Sequence, residues 1–324
     1  MRMKKRTIPT LLMVLSLLVL VISGCTSTDK QPQSPQDSAT QPEATLSTTY
    51  PLTYTDDTGV ETTLAKEPQR IVCLAPPATE ILCALGLEDR LVGLTAYDTY
   101  PVGITEKAEY VFSDSLNPDM EQLINLNPDL VVTSMHAEDF IQNLRNLGIA
   151  VLQLNPESIE GTYETIKKFG LITNRQEQAQ KIVQDMQAKE QAIEEKVKTI
   201  KDSDRVRVWL EVDPALYTTG EGTFLHELLT KAGGINIADD VKFWAKYNEE
   251  QIIAKNPQVI LITYSYYVDN AVEGVLARPA WQNIDAVANK RVYSVDSDMT
   301  TRFGPRVIDG LEIIAKALYP DLFR

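Results

Sequence analysis

The chain has 324 residues, 45 acidic against 31 basic, and a formal charge of −14 at neutral pH, which excludes a nucleic-acid binder that needs a basic stripe over phosphates. Two His and three Cys, none paired at ligand spacing, exclude a zinc finger and leave few soft ligands for a metal cage. With 44% apolar and 23% charged residues the chain reads as globular, and its length predicts two domains, each with its own core.

Arg2, Lys4, Lys5 and Arg6 lead into an apolar run from Ile8 to Ile22. That run falls short of the ~20 residues of a spanning helix and suits a secretory signal. It ends in Ile22-Ser23-Gly24-Cys25, which resembles a bacterial lipobox. In that motif the Cys is acylated and becomes the mature N-terminus, so residues 1–24 read as a lipoprotein signal peptide and Cys25 as the lipidation site. An ordinary signal with an incidental Cys is the bland alternative. The expected location is the extracytoplasmic face of the cell membrane, held by lipid, which excludes a cytosolic enzyme. From Thr26 to Thr49, 17 of 24 residues are Ser, Thr, Gln or Pro. Such a segment cannot bury enough apolar area to repay its ordering, so residues 25–49 form a flexible tether behind the anchor.

The folded part begins near Tyr50. Arg70 to Ala75 (RIVCLA) predicts a strand stopped by Pro76-Pro77, and Thr79-Glu80 leads into an apolar helix ending at Gly86. Glu121 to Pro128 (EQLINLNP) reads as a short helix broken by Asn-Pro, followed by the strand Asp129 to Thr133. The same pattern returns 129 residues later, as Glu250 to Pro257 (EQIIAKNP) and the strand Gln258 to Thr263. Six of eight helix positions match or interchange conservatively, which predicts a duplicated lobe. Between the copies, Asn174 to Lys201 carries apolar residues at helical spacing, with Asn174 as N-cap and one lapse at Lys189-Glu190. At 1.5 Å per residue it makes a rod of ~42 Å, enough to link two lobes. Its heptads are too few and imperfect for a coiled-coil dimer, so a monomer is expected. Arg205 to Glu211 then opens the second lobe, echoing Arg70 to Leu74. The predicted architecture is α/β: a lobe at 50–173, a connecting helix at 174–202 and a lobe at 203–324, both lobes Rossmann-like.

This arrangement resembles the substrate-binding proteins of ABC importers in which one long helix joins two α/β lobes, the class that carries vitamin B12, haem and ferric siderophores. The resemblance covers about Glu67 to Pro320. It rests on Arg70-Ile71-Val72 through Pro76-Pro77-Ala78-Thr79-Glu80, on Leu91-Val92-Gly93 with Tyr97-Asp98-Thr99-Tyr100-Pro101, on Gly222-Thr223-Phe224 through Gly233-Gly234-Ile235-Asn236, and on Arg302-Phe303-Gly304-Pro305-Arg306. Phe303 stands where the family often has Pro. The resemblance implies capture without catalysis, ATP hydrolysis by partner subunits, and docking of one acid per lobe on a permease dimer. The matching acids are Glu121 and Glu250. A pseudo-symmetric carboxylate pair suits a twofold partner; favouring a helix N-terminus is the simpler role for each.

Ligands of open α/β sheets meet the loops at the carboxyl ends of strands. That rule points to Pro77, Tyr97 and Tyr100, to Met135 and His136, and in lobe two to Tyr217, Trp244, Tyr264, Tyr266, Tyr267 and Arg302. Flat amphipathic rings suit a large, partly apolar ligand with polar edges. Only Arg302 and Arg306 are offered to an anionic siderophore. Haem asks for an axial ligand such as His136, Met135 or Tyr266. A corrinoid brings its metal already ligated, and Trp244 matches a cleft tryptophan of the family's B12-binding members, although their aromatic positions in lobe one have no counterpart around Phe112-Ser113-Asp114. A cobalamin-type corrinoid is therefore the expected ligand, with haem or a ferric siderophore as the alternative. No resident cofactor or metal is expected. Cys73 and Cys83 are open to a bridge or to simple burial. No Gly-x-Ser-x-Gly elbow supports a surface hydrolase; that reading and an adhesin remain the competitors.

Overall fold

Residues 46–324 are described by a computed structural model; the signal peptide, Cys25 and the tether up to residue 45 lie outside the described residues. An antiparallel hairpin, β1 (Leu52–Thr55) and β2 (Glu61–Leu64), precedes the first lobe. Strands β3 (Ile71–Cys73), β4 (Leu91–Thr95), β5 (Tyr110–Phe112), β6 (Leu130–Thr133) and β7 (Val151–Gln153) follow. They form one parallel sheet in the order β5-β4-β3-β6-β7. Helices α1 (Pro76–Ala84), α2 (Met120–Asn125), α3 (Glu138–Asn146) and α4 (Ile159–Ile172) alternate with them. Strands β3, β4 and β6 are buried along their whole length. Their unbroken apolar runs are what a parallel sheet covered on both faces requires. Gly93 is needed here for contact rather than for its torsion angles: a Cβ would stand 2.8 Å from Leu126 Cδ1.

The connecting helix α5 spans Gln176–Val197, 22 residues or ~33 Å, shorter than the predicted rod. The difference at its start has a local cause. Asn174, expected as the N-cap, lies at φ +56° and closes α4 as its left-handed C-terminal residue. Helix α5 buries Ala179, Val183, Met186, Ile193 and Val197 and packs on α4 on one side and on the last helix on the other. The lapse at Lys189-Glu190 marks the crossing. Lys189 pairs with Asp309 and Glu312 at 2.5 and 2.7 Å, while Glu190 accepts from Tyr163 of α4 and Lys231.

The second lobe contains β8 (Arg207–Glu211), β9 (Tyr217–Thr219), β10 (Ile235–Asn236), β11 (Trp244–Lys246), β12 (Val259–Ile262) and β13 (Val292–Ser294). Its parallel sheet runs β10-β8-β12-β13, and β9 pairs with β11 as a separate antiparallel flap. The helices are α6 (Phe224–Lys231), α7 (Glu249–Lys255), α8 (Ala271–Leu276), α9 (Asp285–Ala288), α10 (Ser297–Thr301) and α11 (Val307–Leu318). Two α/β lobes joined by a helix are thus present, as expected.

The repeated sequence folds alike in both lobes. Asp119 caps α2 and Asn248 caps α7. Asn127 and Asn256, before the two prolines, both lie at positive φ, +51° and +43°, a conformation Asn tolerates better than most residues. Arg70 donates to the Leu126 carbonyl and Arg207 to the Asn256 carbonyl, so an arginine at the start of each lobe's β3 or β8 strand ties down the end of the helix that leads into the neighbouring strand, β6 or β12. Arg207, rather than Arg205, is the counterpart of Arg70.

Candidate ligand cleft

In both sheets the chain reverses its direction of winding, between β3 and β6 in lobe one and between β8 and β12 in lobe two. Loops diverge at such a point and leave a crevice beyond the strand ends. Two cavities open there, and each takes walls from both lobes. An apolar one of about 180 Å³ is lined by Pro77, Ile81, Met135, Leu154, Pro156 and Phe303, among others. A polar one of about 460 Å³ lies between Tyr97 and Thr99 of lobe one and Ser265, Tyr266, Asp296 and Arg302 of lobe two.

Charged contacts hold the lobes together at this point. Glu80, on α1 and 3% exposed, accepts from Arg306 Nε at 2.8 Å and Nη2 at 2.6 Å. Arg302 Nη1 stands 3.6 Å from the same carboxylate and pairs through Nη2 with Asp298 at 2.8 Å. Arg302 also donates to Thr99 Oγ1 and to the Tyr97 carbonyl, and Thr99 donates to Asp298 at 2.7 Å. The Tyr100 ring covers the Arg306 guanidinium at 4.0 Å. Glu80 raises the pKa of Arg306 above the ordinary arginine value. A buried carboxylate at this depth requires such pairing. Gly304 permits the approach, since a Cβ there would lie 3.1 Å from Glu80 Oε2.

Tyr97 and Tyr266 line the polar cavity, Met135 and Pro77 the apolar one, and all but Pro77 are exposed, Met135 to 81%. Tyr100, Tyr217, Trp244 and Tyr267 are exposed as well, Trp244 to 62%, but stand outside the linings of both cavities. Tyr266 and Tyr267 meet edge to face at 4.8 Å. Partial burial and the Asp213 carboxylate, which accepts from the Tyr267 hydroxyl at 3.1 Å, push that phenol up to about 12. On the flap Trp244 pairs across from Thr219, and Lys246 lies over the Tyr217 ring at 5.4 Å.

Two expected cleft residues are placed otherwise. Tyr264 is 2% exposed, and its hydroxyl donates to Glu211 at 2.6 Å. Glu211 is also held by Arg278 at 2.8 and 2.5 Å and by the Trp209 indole at 2.9 Å. Tyr264 therefore completes a buried polar network at lobe two's crevice instead of walling the cleft. His136 is also buried: its Nε2–H donates to the Ser115 carbonyl at 2.7 Å, and Nδ1 accepts from the Ser134 amide at 3.3 Å. Burial lowers its pKa, and with both ring nitrogens engaged it offers no axial ligand. Glu80, the centre of the latch, was not picked out from sequence; its only signal was one acid on an otherwise apolar helix.

Glu121 and Glu250 occupy equivalent positions in the first turns of α2 and α7. Both are exposed, and neither joins an ion pair among the described residues. Cys73 and Cys83 are free thiols, so the bridge is not formed. Among the described residues no three His, Cys, Asp or Glu are grouped to hold a metal ion.

Comparison with known proteins agrees with this fold. The chain is 37% identical over 317 residues to the ABC transporter substrate-binding lipoprotein YvrC of Bacillus subtilis, covering 96% of each chain. It is 28% identical to a cobalamin-binding protein of Halobacterium salinarum, over 88% of this chain and 79% of that one. Among solved structures, a possible iron-binding periplasmic solute-binding protein of Staphylococcus epidermidis superposes with a TM-score of 0.69 at 31% identity, covering 78% of this chain and all of that one. The periplasmic binding protein family model matches residues 71–299, most of both lobes and the helix between them, and the chain belongs to that family.

Proposed function

We propose that this periplasmic binding protein captures a cobalamin-type corrinoid between its lobes at the extracytoplasmic face and hands it to the permease of an ABC importer. One observation carries the choice of ligand. Arg302 and Arg306, the two cations the sequence offered to an anionic chelate, are already engaged by Glu80 and Asp298. An anion entering here would have to displace a buried carboxylate and meet Asp296 and Asp298 as well. A ligand whose metal is already ligated, and whose rim is mainly amides, meets no such barrier. Exposed rings suit its broad apolar faces: covering ~100 Å² of one ring contributes roughly 2.5 kcal/mol. The name of the Halobacterium relative supports the same reading. A ferric chelate is the second reading, favoured by the Staphylococcus relative. The protein turns over nothing itself; hydrolysis of ATP belongs to its partner subunits. Glu121 and Glu250, one per lobe and without ion-pair partners among the described residues, are the docking carboxylates.

Isothermal titration with cyanocobalamin, hemin and a ferric hydroxamate tests the ligand. Submicromolar binding of cyanocobalamin, one per chain, is expected. Silence toward it, with tight binding of either other compound, transfers the assignment to that chelate.

A further inference from the structure

Phe243 has a backbone that its side chain disfavours. Its φ is +57°, and a bulky residue in the left-handed region is a genuine outlier that persists only where the surroundings impose it. The surroundings here are visible. Phe243 N–H donates to the Glu221 carbonyl at 2.9 Å, and its own carbonyl accepts from Gly220 N–H at 2.7 Å. Glu221 N–H donates to the Val241 carbonyl at 2.9 Å. These bonds bring the two backbones so close that a Cβ at Gly220 would stand 2.0 Å from the Val241 oxygen. Gly222, itself at φ +84°, leaves a bare surface, and the Phe243 ring lies 3.5 Å from where its Cβ would be.

Core packing does not explain the side chain that this turn presents. Phe243 is 63% exposed, and Trp244 beside it is 62% exposed. The segment leaves lobe two's sheet after β10, a strand parallel to β8, and so emerges at the carboxyl edge where the cleft opens. It continues directly into β11 of the flap that carries Trp244 and Tyr217.

We infer that Phe243 is a ligand-contacting, specificity-determining residue, held in a strained turn by Gly220 and Gly222 so that its ring extends the flat apolar wall begun by Trp244. This rests on the proposed capture of a large ring ligand and adds which residue fits its face. Conformational strain kept in place without any gain in core packing is a feature of ligand clamps.

The test is a series at this position in the intact protein, with cyanocobalamin as probe, reading affinity by titration and stability by melting. Phe243→Gly removes both the ring and the torsional penalty. It should bind at least tenfold more weakly while melting no lower than the unaltered protein. Phe243→Ala should weaken binding similarly, and Phe243→Tyr should stay within threefold. A purely structural residue would instead lose stability in the Gly variant, with affinity unmoved. Gly and Ala variants binding within twofold of the unaltered protein, or a Gly variant that melts several degrees lower, overturn the inference alone. Unaltered protein that binds neither cyanocobalamin nor hemin overturns the ligand reading, and this inference falls with it.

Discussion

Replacing Glu80 by Gln keeps the side chain's volume and removes the charge that two arginines of the opposite lobe share. The carboxylate accepts two charge-assisted bonds from Arg306, at 2.8 and 2.6 Å, and lies 3.6 Å from Arg302. Breaking a buried pair by removing one partner costs ~3–5 kcal/mol, because the other charge is left uncompensated. Here the arginine side chains retain 15% and 14% exposure, so water relieves part of that cost. A value shifted below that range applies, about 2–4 kcal/mol. No cavity is added, since Gln fills the same space. Urea unfolding should register this loss, and the melting temperature should fall by roughly 3–7 °C for a fold of this size. Glu106→Gln, at an exposed site outside the latch, is the control and should stay within ~0.5 kcal/mol. Glu80→Gln also leaves Arg306 without its carboxylate, while Arg302 keeps Asp298, so the affinity of that variant for hemin, which carries two propionates, should rise. A loss below ~1 kcal/mol would mean that water screens the pair as on a surface, and the reasoning about a closed electrostatic latch would be wrong.

Changing Glu121 and Glu250 together to Ala should leave ligand affinity unaltered and abolish uptake by the intact transporter; uptake at the unaltered rate would remove their docking role. His136 is held neutral by burial, so its folded pKa lies below the unfolded value. Its contribution is therefore complete above ~6.5 and lost as pH falls through the folded pKa. Melting curves from pH 7.5 to 5 should show this decline flattened in His136→Asn, and an equal slope in both proteins would contradict it. Gly220→Ala forces a Cβ to within 2.0 Å of a backbone oxygen. It should cost roughly 3 kcal/mol in urea unfolding, with a loss under ~1 kcal/mol showing that the turn can yield.

The lobes were legible in the sequence because their determinants are local. An Asn that tolerates positive φ, a Pro behind it and an apolar strand recur at fixed spacing, and each piece has its own physical reason. The connecting helix was legible from its apolar stripe, but its start was not. Asn174 suits both a helix start and a left-handed helix end, and only packing chooses between them. The cleft was legible as a set of loops at strand ends and not as individual side chains. Tyr264 turns inward because Glu211, 53 positions away, needs a donor in the core. Glu80 meets Arg306 across 226 positions and two lobes, a pairing that no local pattern encodes. Phe243 owes its left-handed turn to close backbone contact with glycines on a neighbouring segment, so its own neighbours in sequence carry no sign of it.

Hydrogen exchange of the intact protein with and without cyanocobalamin tests the central claim, a ligand gripped between the two lobes. Slowed exchange is expected together in lobe one, at residues 75–79 and 95–100, and in lobe two, at 217–222, 241–247 and 297–303. Protection confined to one lobe, or spread over the outer helices with these segments unchanged, would contradict it.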